Sequence, residues 1–94
     1  MMKSEKLNPA ELEPRRKRIW FRCHHMGMHE NDIIVGSFAD RYIEELSEEQ
    51  LDHFEALIAE NDIDLLNWII GRSPVPPERQ TDVLELIIEH KNSL

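Results

Sequence analysis

The clearest structural signal in the chain is Leu46-Ser47-Glu48-Glu49-Gln50-Leu51-Asp52-His53-Phe54-Glu55-Ala56-Leu57-Ile58. Ser47 and Gln50 have the spacing of a capping box, in which a hydroxyl and an amide side chain each satisfy the other's free backbone N–H. Leu46 and Leu51 flank the cap at the positions of a hydrophobic staple. Leu51, Phe54, Leu57 and Ile58 then recur at helical spacing and form one apolar stripe. A helix that starts at Ser47 and buries that stripe needs other apolar faces to pack against.

Those faces lie on both sides. Downstream, Asn61 or Asp62 caps a short helix through Leu65, Leu66, Trp68, Ile69 and Ile70, closed by Gly71. Arg72-Ser73-Pro74-Val75-Pro76-Pro77 is a stiff connector, and a last helix is expected from near Pro77 to about His90-Lys91, with Val83, Leu84, Ile87 and Ile88 inward. Upstream, a helix is expected from just after Gly27 to about Ile43, with Glu30 and Asp32 in its first turn, where the helix dipole favours anions. Ile34, Phe38 and Tyr42 share a face of it; Ile33-Ile34-Val35 is too short a run to outweigh that period. A first helix is read from Arg15 to about His25, with Ile19, Cys23 and Met26 on one stripe and Trp20 beside it. Asn8-Pro9-Ala10-Glu11 reads as a capped turn, Pro14 restarts the segment, and residues 1–13 are expected to be a flexible lead. The prediction is an all-α, compact bundle of five short helices in one domain spanning residues 1–94, with Phe38, Phe54, Leu57, Leu66, Ile69, Leu84 and Ile87 inside.

Charge is unevenly placed. Residues 1–22 hold seven of the eleven Lys/Arg and three of the nineteen acids; residues 23–94 hold four bases against sixteen acids, a net of −12. An acidic body repels phosphate backbones, so nucleic acid is not the expected partner. The basic run Arg15-Arg16-Lys17-Arg18 is either a solvated helix face or a match for an acidic patch. The single cysteine, Cys23, has no internal partner for a disulfide, which suits a reducing compartment. No apolar run approaches the roughly 18 residues of a membrane span, and the N-terminal stretch lacks the apolar core of a secretory signal. A bacterial cytoplasmic protein is expected, or a mitochondrial matrix protein in a eukaryote.

Cys23-His24-His25-Met26-Gly27-Met28-His29-Glu30 gathers soft sulfur and imidazole donors that would suit copper(I) or zinc. One cysteine gives no structural-zinc spacing, and Gly27 interrupts the helical spacing between His25 and His29. A soft-metal handling role is therefore the alternative reading, and no resident metal is expected. Cys23 lies on the apolar stripe, and His24, its neighbour in sequence, does not face it on a helix, so it reads as a structural thiol rather than a nucleophile. Glu44-Glu45 and Glu48-Glu49 are acids at helix ends, and no phosphate-binding glycine loop occurs. The chain reads as a docking protein, not as an enzyme acting alone.

The same residues carry a resemblance. Arg15-Arg16-Lys17-Arg18, His25-Met26-Gly27-Met28-His29-Glu30-Asn31-Asp32, Gly36-Ser37-Phe38-Ala39, Leu46-Ser47-Glu48-Glu49, Phe54-Glu55 and Asp62-Ile63-Asp64-Leu65-Leu66-Asn67-Trp68 follow one another in the order found in the small flavinylation factors of succinate dehydrogenase. These are the bacterial SdhE proteins and the mitochondrial succinate dehydrogenase assembly factor 2. The chain resembles that family over roughly residues 15–91. The family signature is Arg-Gly-x-x-Glu, here Met26-Gly27-Met28-His29-Glu30: the glycine and glutamate match, and methionine stands in place of arginine. The substitution removes a planar guanidinium and its bidentate recognition of carboxylate or phosphate, with His25 or Arg22 the nearest cations to take its place.

The resemblance implies an assembly factor that binds the flavoprotein subunit of succinate dehydrogenase, or that of the related fumarate reductase, and promotes covalent attachment of FAD to it. No FAD is expected to be held stably by the chain itself. Partner contacts are expected at the corner between the first two helices, from Met26, Gly27, Glu30 and Asp32, with Asp64 and Trp68 supporting the same surface. A helical adaptor that has lost flavinylation through the change at Met26 is the remaining alternative.

Overall fold

In the computed structural model, which describes residues 7–94, five helices form: α1 (Pro14–Cys23), α2 (His29–Tyr42), α3 (Glu48–Ile58), α4 (Asp62–Ile69) and α5 (Asp82–Asn92). Single turns of 3-10 helix, Pro9–Glu11 and Pro77–Arg79, precede α1 and α5. No strand occurs among the described residues. The fold class is the all-α bundle that the sequence predicts.

Local chemistry explains most of the boundaries. At α3, Ser47 Oγ accepts the Gln50 N–H at 3.1 Å and Gln50 Oε1 accepts the Ser47 N–H at 2.9 Å, so the capping box is complete. Leu46 and Leu51 are both buried beside it. At α4, Asn61 Oδ1 accepts the N–H groups of Ile63 and Asp64 at 2.8 and 3.2 Å, which makes Asn61 the cap.

Two helix boundaries differ from the sequence reading. α1 ends at Cys23 rather than near His25, because the His24 and His25 N–H groups bond three residues back, to Phe21 and Arg22 carbonyls, and tighten the final turn. α5 begins at Asp82, not near Pro77. Pro77 starts only a 3-10 turn, and the chain passes through Gln80 (φ −80°, ψ 83°) before Thr81 Oγ1 caps α5 by accepting the Leu84 N–H at 3.3 Å. The expected flexible lead falls partly on residues 1–6, outside the described residues; of the rest, Asn8 Oδ1 caps the first 3-10 turn and Leu12 is buried in the core.

The core lies where α2, α3 and α5 meet, with α1 and α4 closing its sides. Phe38 and Phe54 are fully buried and meet edge to face, ring centroids 5.5 Å apart. Val35, Leu57, Ile69, Val83, Leu84 and Ile87 surround them. A buried side chain of this size contributes about 1.5–3 kcal/mol through burial. Leu66, expected inside, is only half-buried and packs on the rim.

α1 is held against the bundle by two of the arginines in its basic run. Arg15 bonds Glu48 and Glu55 of α3 at 2.9 Å each, and also Asp52. Arg16 donates from Nε to the Ile43 carbonyl at 3.0 Å, and its other nitrogens reach the Leu46 carbonyl and Glu13. The acidic patch this run could match thus includes one within the chain itself, on α3. Across the other side, α1 and α2 approach closely at Gly36: a Cβ there would stand 3.1 Å from the His24 ring and 3.3 Å from the Cys23 carbonyl oxygen.

Candidate functional site

The loop from His24 to Met28 turns the chain from α1 into α2, and the N-terminus of α4 lies under it. Gly27 turns the loop with φ +90°, a left-handed conformation that side chains disfavour. A Cβ at Gly27 would face Asp62 Oδ2 of α4 at 3.4 Å. Space is therefore adequate, and the backbone conformation is what calls for glycine.

Four polar side chains fix this corner. Asp32, one turn into α2, accepts the Met26 N–H at 2.8 Å and so clasps the loop. Asn31 is fully buried and donates from Nδ2 to the Asp62 carbonyl at 2.9 Å, tying the first turn of α2 to the start of α4. Its Oδ1 is buried and unpaired among the described residues. Arg22 bridges three segments: it donates to the Ile58 carbonyl at the end of α3 (3.1 Å), to Asp62 (3.3 Å) and, more weakly, to the His25 carbonyl of the loop (3.5 Å).

The residues expected at the site divide into two groups. Gly27 and Glu30 are exposed, and no hydrogen bond or ion pair of the Glu30 side chain is made to the described residues. Asp64 is exposed one turn into α4. Asp32 is half-buried and spends its carboxylate on the loop. Met26 and Trp68 are buried. Met26 is 2% exposed and its side chain belongs to the core, with Ile19 and Cys23 of the same apolar stripe. Trp68 is 8% exposed, on the inward face of α4 with Leu65 and Ile69. As the fold stands, neither side chain forms an outward contact.

Met28, the residue before α2, is extended and gives the first turn no side-chain cap. Sequence reading missed Asn31 and Asp62 and placed Arg22 only as a nearby cation. A signal for Asn31 was present: it stands three, four and seven residues before Ile34, Val35 and Phe38, all buried, and so occupies an inward position of α2.

The soft donors of residues 23–29 do not converge. Cys23 is fully buried, and burial pushes its thiol well above the ordinary range. His24 Nε2 lies 3.0 Å from Asp40, which also accepts the Trp20 indole N–H at 2.7 Å. His25 stacks on Phe21, with Nδ1 2.8 Å from the Phe21 carbonyl. Among the described residues no group of three His, Cys, Asp or Glu side chains is placed to hold a metal ion.

The fold and the corner define a small all-α domain, with an exposed glutamate and a glycine turn on a polar clasp. Residues 17–91 match the protein family described as flavinator of succinate dehydrogenase. The chain belongs to that family. It is 40% identical over 81 residues to the mitochondrial succinate dehydrogenase assembly factor 2 of Dictyostelium discoideum, covering 86% of this chain and 57% of that protein. It is 35% identical over 78 residues to the FAD assembly factor SdhE of Acetobacter pasteurianus, covering 83% of this chain and 72% of that protein. The mitochondrial relative from Drosophila grimshawi is 33% identical, with 55% of its length covered. The chain thus spans a little more than half the length of these mitochondrial relatives.

Proposed function

We propose that this chain binds the flavoprotein subunit of succinate dehydrogenase through the α1–α2 corner and promotes covalent attachment of FAD to it. Membership of the flavinator family supports the reaction; the observation that carries the site is Glu30, exposed and without a side-chain partner among the described residues, one turn from the left-handed Gly27. A glutamate whose carboxylate has no partner among the described residues is free to accept hydrogen bonds from another protein. The absence of a side chain at Gly27 lets a partner's backbone approach, and the first turn of α2 beside it has no side-chain cap.

The chain would act by differential binding. If it binds more tightly to the flavoprotein conformation in which FAD attaches, it raises the population of that conformation, and the flavoprotein supplies the covalent residue. FAD would be held by the partner, and the chain would carry no cofactor of its own. The setting would be the bacterial cytoplasm or the mitochondrial matrix; no helix among the described residues is long and apolar enough to cross a membrane. The flavoprotein of fumarate reductase is a second partner to be tried in the same assay.

With Met26 buried, the guanidinium nearest the loop belongs to Arg22, whose side chain is 40% exposed while bridging Ile58, Asp62 and the loop. Arg22 would shape the corner in this chain in place of an arginine at position 26. The test is to incubate the flavoprotein subunit with FAD, with and without the chain, and to score covalent flavin by fluorescence in a denaturing gel. Glu30→Ala is expected to reduce the covalent product sharply while stability stays within about 0.5 kcal/mol of wild type, as for a surface residue. Full activity of Glu30→Ala would remove the corner from the mechanism, and a large loss of stability would make Glu30 structural.

A further inference from the structure

The cations of α1 are divided between two sides. Arg15, Arg16 and Arg22 are committed within the fold, to α3 carboxylates or to backbone carbonyls. Lys17 and Arg18 are exposed, and neither makes an ion pair or hydrogen bond with the described residues. Phe21 stands one turn further along the same face and is 57% exposed, the most exposed aromatic side chain among the described residues. Its ring stacks on His25, centroids 4.0 Å apart and planes 20° from parallel, so the aromatic surface runs on into the α1–α2 loop. Pro14, Lys17, Arg18 and Phe21 line a shallow groove of about 410 Å³.

We propose that this outer face of α1 is a second docking surface for the flavoprotein partner, fitted to an acidic segment that carries an apolar side chain. The inference rests on the docking function proposed above and adds to it a surface and a partner chemistry. Charge complementarity selects the occupant. Residues 23–94 have a net charge of −12, whereas this face offers two cations without a partner among the described residues, both lining an apolar groove. An extended polyanion, whether nucleic acid or an anionic membrane, would meet the acidic body as it reached α1 and be repelled. A short acidic segment is small enough to reach Lys17 and Arg18 alone. Its apolar side chain would cover Phe21, and desolvation at that aromatic centre is where a small interface concentrates its affinity. A second copy of this chain fits poorly, because a two-fold contact on this face sets the cations of one copy against those of the other.

The experiment measures binding of the purified flavoprotein subunit, loaded with non-covalent FAD, to wild-type chain and to Phe21→Ala, the double variant Lys17→Glu/Arg18→Glu, and Lys91→Glu as a charge control on α5. All four are surface changes, and melting temperatures within a few degrees of one another confirm intact folding. Phe21→Ala and the double reversal are each expected to weaken Kd by about tenfold or more, with Lys91→Glu close to wild type. The double variant should also lose most of the salt dependence of binding, since screening acts on the charges it removes. Wild-type affinity in both variants would overturn the proposal. Equal weakening by Lys91→Glu, with no effect of Phe21→Ala, would overturn it in favour of long-range steering. Binding of wild-type chain to phosphatidylglycerol vesicles, lost in the double variant while flavoprotein binding stays intact, would assign the face to a membrane and overturn it too. Failure of wild-type chain to bind the flavoprotein at all would instead sink the docking function, and this surface with it; retained binding with loss only in Glu30→Ala would leave the corner and remove the α1 face.

Discussion

The two ends of α2 are built on different principles. Its C-terminal half is dry: Phe38 and Ala39 are fully buried, Phe38 meets Phe54 edge to face, and Ile43 closes the helix end inside the core. Its first turn is polar. Asn31 is fully buried with its Oδ1 unpaired among the described residues, Asp32 is tied to the loop, and Gly27 holds a left-handed backbone just before it. A helix chosen for stability alone would carry an aliphatic residue at position 31. The contrast indicates that the C-terminal half holds the fold together, while the first turn gives the corner its shape at some expense of stability.

Substitutions at the two ends should separate these roles. The largest effect is expected in the dry half. Phe38→Ala removes a fully buried ring and should lower unfolding free energy by about 3–5 kcal/mol, read from the urea midpoint at unchanged slope. A loss under about 1 kcal/mol would mean that the seam repacks and is not the main source of stability. Next, Gly27→Ala must adopt φ near +90° and should cost about 1–3 kcal/mol through backbone strain. Because the space beyond Cβ is adequate, Gly27→Asn, which tolerates left-handed geometry better, should recover part of that loss. If both variants lose equally, crowding rather than backbone conformation is the cause.

Asn31→Leu is the sharper test of the comparison. It removes one hydrogen bond, to the Asp62 carbonyl, together with an unpaired buried oxygen. These effects oppose one another, so the net change in stability should stay within about 1 kcal/mol. Flavinylation of the partner should nonetheless fall, because the hydrogen bond that ties the first turn of α2 to α4 is lost. Unchanged flavinylation would show that the polar clasp does not shape the docking corner.

The smallest effect is expected from acidification in the dry half. His90 is buried against the Phe38 and Tyr42 rings, with Nε2 2.7 Å from Ser37 Oγ and Nδ1 buried and unpaired among the described residues. Burial, and then the nearby Arg41, hold its pKa below the ordinary histidine value of 6.5. A base whose pKa is lowered by folding binds fewer protons in the native state, so stability is retained above about pH 6.5, the unfolded value, and declines as pH falls below it. Melting temperature should therefore drop between pH 7 and pH 5, and His90→Gln should flatten that part of the profile. An equal drop in His90→Gln would assign it to other groups.

Elements governed by local chemistry were legible in the sequence. The capping box of α3 and the inward stripes of α2 and α3 depend on residues a few positions apart, and they fold as read. Helix ends set by longer-range geometry were less so. Nothing near Pro77 announces that Thr81, rather than the proline, starts α5. Of the corner, Gly27 and Glu30 could be placed from a short motif. The reach of Arg22 to Ile58 and Asp62, thirty-six and forty residues away, could not. The division of α1 into a committed and a free side likewise appears only once α3 is packed beside it.

Cys23 has a further use. Its sulfur is sealed between α1 and α2, and burial keeps it in the unreactive thiol form. A thiol-modifying reagent must therefore wait for α1 to lift away, so the labelling rate reads the breathing of that helix without any added probe. A bound partner that clamps α1 would slow this clock, whereas one that grips α5 alone would leave it running at its own pace.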